Sequence, residues 1–462
     1  MTYHPFTHED LSFLENLVGK ERVSTGQSNL EIHSRDESFY KGLVPDVVVW
    51  PHTTEEVSRI VAYANTKKIP VTPWGAGTSL EGNPLPLHKG IVLDFTQMDK
   101  ILSVRAEDFQ VDVEAGVRYQ DMNKILSRYG LFFAPDPGAN ATIGGMIGNN
   151  ASGVRTVKYG GTRDNVAKMT VVLADGRVIH PGNFAEKSSS GYDLLHLFIG
   201  SEGTLGIVTE ATLRLAGIPE QYSAGVATFP TVKQATQTVY EIMGAGLEPA
   251  ALEFLDTSTI KVINKEGKSS LKEAPTLFLE FTGTSRKALA EIVTVAKAIC
   301  EENGCLDFSS GIGREERNRL WENRHQAFEY IKRNNPGADF MILDTAVSLS
   351  NYQEMVDFAI KTIESLSIKG YVFGHAGDGN LHLVITGDFS DANFCKKRDK
   401  ANHDIVSHAI SLGGTATGEH GIGIGKKKFM ALEHGASLAV MQALKRMMDP
   451  NGILNPGKML DP

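Results

Sequence analysis

The rhythm of strands and helices changes at Gly217-Ile218-Pro219-Glu220, and that change limits the fold more than any single residue does. Before it, DVVVWP at 46–51 reads as a buried strand. Thr53 and Glu56 then have the spacing of a helix-starting capping box, and Val57, Ile60, Val61 and Ala64 recur as one apolar helical face. Pro70 to Pro73 returns to a strand that runs into WGAGTSLEG, a β-α-β unit ending in a glycine loop. A second unit follows: strand VDVEAGV, helix Tyr119 to Tyr129, and Gly130 as its C-cap. Strands KMTVVLADG and GIVTEATLRL close this part. After the boundary, AGVATF, helix 231–243, ALEFLD, TLFLEFTG, helix 286–303 and a strand near Phe308 give β-α-β-β-α-β, the ferredoxin-like order. A similar order returns in FMILDTAVSL, helix 351–365, YVFGH, NLHLVI and helix 392–411. The chain of 462 residues is too long for one core. We expect an α+β protein whose later part is a largely antiparallel sheet covered by helices, with two halves meeting edge to edge. Helix 437–448 precedes a stretch of turn formers, 449–458, which is either a surface tail or packs back onto the first domain.

Glycine makes up 46 of the residues and concentrates in 75–82, 138–161, 200–206 and 413–425. Clustered glycine marks tight turns or backbone that approaches a ligand closely. The common nucleotide motifs fail. Gly75-Ala76-Gly77-Thr78-Ser79-Leu80 lacks the third glycine of the dinucleotide fingerprint. Gly421 to Lys426 lacks P-loop spacing, with Lys427 where Ser or Thr should follow. A nicotinamide or ATP enzyme is disfavoured. Backbone N–H groups in such loops still cradle phosphate, and 74–82 and Thr142 to Gly153 both suit a pyrophosphate.

In GHAGDGNLHLVI, His375 and His382 flank a Gly-Asp-Gly-Asn turn between two β-like runs. A hairpin brings both imidazoles to one point, as two ligands of one ion require. Glu419 and His420 follow in TATGEHGIGIGKKK. Two His and a carboxylate make a three-ligand site with open positions, and His420 is then a candidate base. The competing reading is a glycine-rich hairpin with two ordinary histidines.

The net charge of −9, with no basic run beyond Lys426-Lys427-Lys428, argues against a nucleic-acid partner. Cys300, Cys305 and Cys395 are too few and too scattered for a disulfide framework or a Cys-type zinc knuckle, which fits a reducing compartment. The N-terminus has no basic n-region, and no 18 apolar residues run together. The expected place is the cytoplasm, with peripheral membrane contact left open.

PWGAGTSLEG, DPGANATIGGMIGNNASG, YGGTRDNV, KSSSGYDL, FIGSEGTLGIVTEATLRL, LWENRHQAF, GHAGDGNLH, TGEHGIGIGK and NPGK stand in this order along nearly the whole chain. Together they resemble the FAD-linked oxidases of the vanillyl-alcohol-oxidase fold, in the D-2-hydroxyacid branch of cytochrome-type D-lactate dehydrogenase, the glycolate oxidase FAD subunit and D-2-hydroxyglutarate dehydrogenase. The resemblance implies a two-part FAD-binding domain over 1–219, an antiparallel ferredoxin-like substrate cap over 220–415, and a segment 416–462 returning to the FAD domain and active site. Pro73, Trp74, Gly75, Ala76, Gly77, Thr78, Ser79 and Gly82 would hold the pyrophosphate. Pro135, Gly138, Thr142, Gly145, Asn149, Ser152 and Gly153 would line the flavin and its linker. Glu202, Gly203 and Ile207 would sit by the adenine and ribitol parts, and Asn455 near the ring. Members that bind flavin covalently carry a His in the first glycine loop. WGAGTSLEG has none, so FAD would be noncovalent.

By the same resemblance His375, His382 and Glu419 would hold a divalent metal (zinc, manganese or iron), His420 would be the base, and Arg324 would bind the substrate carboxylate. The residue alone allows the alternative of a helix-surface arginine. The implied reaction oxidises a D-2-hydroxymonocarboxylate, D-lactate or glycolate, to the 2-oxoacid, with the α-hydride passing to the flavin. Ile342 stands where hydroxyglutarate-type members have a Lys that holds a second carboxylate, and Ser348 replaces a frequent Pro. D-2-hydroxyglutarate dehydrogenase is therefore the weaker alternative. A flavin subunit of a multi-subunit glycolate oxidase and, from another class, an FAD-dependent ether-lipid-type transferase are the others. The electron acceptor (quinone, cytochrome, electron-transfer flavoprotein or a separate iron–sulfur subunit) and a homodimer stay open.

Overall fold

Val47, Val48 and Val49 are wholly buried, and they form the second strand of a four-stranded sheet. This computed structural model of the protein describes residues 2–267 and 270–460, and the chain divides into two units. The first comprises the chain up to Gly153, Gly160–Ile218 and Glu419 onward. In its four-stranded sheet the order is Val23–Ser24, Val47–Val49, Ile91–Asp94, Val71–Trp74, and the last three run parallel. Helix Thr54–Lys67 covers it with Val57, Ile60, Val61 and Ala64, and Thr53 caps the helix by accepting from the Glu56 amide. The turn-rich tail is no surface appendage. Val71 donates to Ile453 O at 2.8 Å and accepts from Asn455 N at 2.8 Å, and Ile453 and Leu454 join the core under the sheet.

The same unit holds a five-stranded antiparallel sheet: Ile101–Arg105, Gln110–Glu114, Ile207–Arg214, Val166–Val172 and Val178–Ile179. The expected long helix after Tyr119 ends earlier, at Leu126, and continues as a 3₁₀ turn to Tyr129. Gly130 then takes the left-handed conformation at φ 70°.

The second unit comprises residues 154–159 and Pro219–Gly418, so a short segment inside the first long stretch belongs with it. Val154 packs against its core. We label its strands β1 Gln221–Thr228, β2 Ala251–Leu255, β3 Thr276–Gly283, β4 Asp307–Ile312, β5 Asp339–Ala346, β6 Lys369–Gly374 and β7 Asn380–Gly387. They form one sheet in the order β4-β1-β3-β2-β6-β7-β5, with antiparallel pairing throughout. The first four strands have the ferredoxin-like arrangement, and the other three repeat it. Where the repeat would place a fourth strand beside β5, Thr415 makes a single bridge to Ala346. The halves join edge to edge through β2 and β6, with Phe254 opposite Gly374 and Leu255 opposite Phe373.

Among the described residues no helix is long and apolar enough to cross a membrane, and all three cysteines are free.

Candidate functional site

Strand alternation and register put one row of side chains on one face of the second unit's sheet. Leu255 of β2 pairs with Phe373 of β6, Phe373 with His382 of β7, and His382 with Asp344 of β5. Glu253 lies two residues before Leu255, hence on the same face, and His375 follows the end of β6. The β6–β7 turn does what its Gly-Asp-Gly-Asn sequence implies: it brings the His375 and His382 rings to 5.1 Å between centroids at nearly a right angle. Both are buried, at 7% and 5% exposure, where an unpartnered polar nitrogen would be costly.

Glu253, fully buried within an otherwise apolar strand, is the residue that sequence reasoning missed. Its Oε1 accepts from His375 Nδ1 at 2.7 Å, and its Oε2 accepts from Arg324 Nε at 3.0 Å and Nη2 at 2.5 Å. Burial alone would push its carboxyl up. The His375 and Arg324 charges and hydrogen bonds outweigh that and hold it below the usual carboxylate range. The signal was present in ALEFLD, a carboxylate in the middle of a buried strand.

Arg324 sits on helix Arg314–His325 and is 9% exposed, which rules out the helix-surface alternative. Trp321, one turn earlier and fully buried, donates from Nε1 to Leu279 O at 3.3 Å and fastens the helix to the sheet. The guanidinium lies 5.2 Å from the centroid of Phe373. Ile342, on the strand of Asp344, packs against the apolar core of this unit.

Asp344 is also fully buried. It accepts from Asn380 Nδ2 at 2.7 Å, Thr417 Oγ1 at 2.8 Å and Gly418 N at 2.8 Å, and its Oδ1 lies 3.7 Å from His382 Nδ1. It therefore tethers Thr417-Gly418 beside the histidine strand. Glu419 is the next residue.

Within the first unit the glycine loops converge. A Cβ on Gly75 would collide with Thr142 Oγ1, so the first loop and the start of helix Ile143–Asn149 approach as only glycine permits. Gly203 has φ 69°, and a Cβ there would lie 2.5 Å from the Pro73 ring. Glu202 and Asn455 both take left-handed backbone conformations, at φ 52° and 39°. Asn455 Nδ2 donates to Asn83 O and Glu202 O, pinning the tail to both loops. The Glu202 carboxylate accepts from Ile422 N and Gly423 N at 2.6 and 2.9 Å, and burial pushes it up to about 7 against those bonds. Lys458 is pushed down to about 7 by burial, with Glu202 and Asp36 opposing. Ser152 Oγ donates to Glu419 Oε2 at 3.1 Å, and Asn149 Nδ2 to His420 O at 3.2 Å.

Of the other expected cofactor residues, Trp74 and Pro135 are buried, and Ala76, Gly77, Thr78 and Ser79 are half-buried. Ser79 hydrogen-bonds Asn83, Gly145 N donates to Thr142 Oγ1 at 3.3 Å, and a Cβ on Gly82 would meet Ile424. Gly153 lies against Asp136 O, Gly138 is exposed, and Ile207 belongs to the hydrophobic core. The loop 75–80 carries no acid, and the nearby acids are engaged: Glu81 by Lys426, Glu202 by backbone amides, and Asp36 by the Ser38 and Gly82 amides. The acids nearest this loop are thus held by protein donors, and its glycine-rich backbone fits the diphosphate of FAD.

The comparisons agree with this. Residues 45–182 match the family described as "FAD binding domain", and residues 218–459 match "FAD linked oxidases, C-terminal domain". The chain belongs to the FAD-linked oxidase family and is an oxidoreductase with FAD as cofactor. It is 39% identical over 455 residues to the "Probable D-lactate dehydrogenase, mitochondrial" of Danio rerio, covering 98% of this chain and 91% of that protein. It is 36% identical to the "Glycolate oxidase subunit GlcD" of Bacillus subtilis, covering 96% and 95%. Among solved structures it resembles p-cresol methylhydroxylase at TM-score 0.77 and 16% identity, covering 100% of this chain and 99% of that one. It also resembles alkyldihydroxyacetonephosphate synthase at 0.76 and 20%, covering 99% and 86%. At those identities the likeness concerns the fold, which is of the vanillyl-alcohol-oxidase type.

Proposed function

We propose that this enzyme oxidises a D-2-hydroxymonocarboxylate of the D-lactate or glycolate kind to the 2-oxoacid. Noncovalent FAD serves as hydride acceptor, and His375, His382 and Glu419 hold a divalent ion. The observation that carries the reading is that the buried His375 and His382 share a sheet face with Glu253, on which the helix-borne Arg324 guanidinium is held: two imidazole donors beside a guanidinium. The donor set fits a divalent ion of the zinc, manganese or iron group. Glu419 stands one peptide bond beyond the Gly418 that Asp344 tethers, which supports it as third ligand. Such an ion, when bound, supplies a Lewis acid that lowers the pKa of a substrate hydroxyl.

The chain's own groups do the rest. Arg324 uses Nε and Nη2 on Glu253, so its Nη1 edge is the one that receives a substrate carboxylate. Ile342 and Phe373 give the neighbouring wall an apolar character, which favours a short side chain over a second carboxylate. His420 is the base that takes the hydroxyl proton. Three dispersed cysteines cannot ligate an iron–sulfur cluster, so the electrons leave to an acceptor outside the chain. For compartment, the cysteine usage supports the cytoplasm, while the Danio rerio relative is named mitochondrial. Cell fractionation decides between them.

The test is anaerobic reduction of the bound flavin across a panel of 2-hydroxyacids, with and without prior chelation. We expect bleaching by D-lactate or glycolate that chelation abolishes and zinc or manganese restores. Unchanged flavin absorbance with every hydroxyacid sinks the reading, and bleaching indifferent to chelation removes the metal from it.

A further inference from the structure

Glu253 lies at a junction that neither partner residue explains. A buried carboxylate–guanidinium pair gains little stability over apolar residues of the same size, because desolvation offsets the attraction. Its place in the sheet is better accounted for by what it orients. The carboxylate has two oxygens, and each is committed to a different member of the candidate site: Oε1 to His375 and Oε2 to Arg324. Glu253 is itself fully buried, on a five-residue strand buried along its length, so water does not substitute for it.

Resting on the reading above, we propose that Glu253 is a shared positioning residue that sets metal affinity and substrate-carboxylate binding together. By accepting from Nδ1 it holds His375 in the tautomer whose Nε2 lone pair faces an ion, and it raises the basicity of that nitrogen. By accepting from Nε and Nη2 it fixes the plane of the guanidinium and leaves the Nη1 edge for an incoming carboxylate. One side chain therefore couples the two anchors of a chelating hydroxyacid: the ion that takes its hydroxyl and the arginine that takes its carboxylate. The β2–β6 joint between the halves of the sheet carries this coupling, since Glu253 lies on β2 and His375 just beyond β6.

Glu253→Gln keeps the shape but offers one acceptor and one donor, so it can serve His375 or Arg324 and must oppose the other. In the FAD-loaded enzyme we expect the zinc Kd, measured by competition with a chromophoric chelator, to rise roughly 10–100-fold. The KM for the hydroxyacid should rise at least about 10-fold, as expected for loss of one charge-assisted carboxylate contact. FAD content should stay at one per chain. Zinc Kd and KM both within about twofold of the unaltered enzyme overturn the proposal, and a change in only one of them overturns the coupling.

The unaltered enzyme provides a second measurement should the variant not fold. With ¹⁵N-histidine labelling and zinc bound, the His375 ring should carry its proton on Nδ1, exchanging slowly, with Nε2 shifted by the metal. A proton on Nε2 with Nδ1 as ligand overturns the proposal. Failure of the unaltered chain to bind zinc is a different result: it sinks the functional reading on which the proposal rests.

Discussion

Asp344→Asn should loosen the segment that delivers Glu419. The carboxylate uses both oxygens: Oδ1 for Asn380 Nδ2, and Oδ2 for Thr417 Oγ1 and Gly418 N. Asparagine offers a single acceptor oxygen, and its NH₂ must face donors whichever way it turns. The cheaper orientation keeps Thr417 and Gly418 on the carbonyl and sets two NH₂ groups against each other at Asn380. A buried hydrogen bond to a charged group contributes about 1.5–3 kcal/mol, and neutral bonds are roughly half as strong as charge-assisted ones. Losing one bond and weakening two, with some relief from burying an amide instead of an ion, comes to about 3 kcal/mol. At 1.4 kcal/mol per tenfold this is a roughly 100-fold shift in local opening. Native-state hydrogen exchange reads it directly: the Gly418 amide, protected by Asp344, should exchange about 100-fold faster while β1–β3 stay unchanged. The zinc Kd should rise more than about 10-fold, because ligand positioning depends on the same tether. Gly418 exchange within threefold of the unaltered protein would refute the reasoning, whatever happens to activity.

His420→Ala should keep its FAD yet fail to bleach with hydroxyacid, and full activity removes His420 from the base role. Gly203→Ala places a Cβ against Pro73 at a left-handed φ, and should weaken FAD binding measured by flavin fluorescence. Gly130→Ala, equally left-handed but facing open space, should not, and equal loss in both would mean backbone strain alone is responsible. Because burial raises Glu202 from its usual value to about 7, the folded state keeps a proton that the unfolded chain releases. That contribution is complete below about pH 4.5 and fades as pH rises to 7, at no more than about 1.4 kcal/mol per unit. In FAD-free protein, Glu202→Gln should flatten that fall in urea titrations, and an unaltered slope would show that other groups cause it.

What the sequence made legible was local. The β6–β7 hairpin follows from a turn whose glycines stand at fixed offsets between two apolar runs, so the residue order alone is enough to bring His375 near His382. The same holds for the helix capped by Thr53 and for the two ferredoxin-like repeats, whose periods change at recognisable breaks. What stayed hidden depends on pairings between distant strands. Glu253 lies 122 residues from His375 and 71 from Arg324; the β2–β6 joint brings it to the first, and the packing of helix Arg314–His325 on the sheet brings it to the second. Periodicity could not announce it, because β2 is buried on both faces and shows no alternation to violate. The transfer of 154–159 to the second unit is equally silent, since Val154 looks like any loop valine until the core it joins is built. Asp344 in FMILDTAVSL bears the same mark as Glu253, an acid within an apolar run, and that mark does not say what it holds. The hydrogen bonds it accepts from Thr417 and Gly418, more than seventy residues away, make it the tether of the segment that leads to Glu419. The candidate ligands are thus the part that short motifs can carry. The carboxylates that orient them are the part that only the assembled sheet defines.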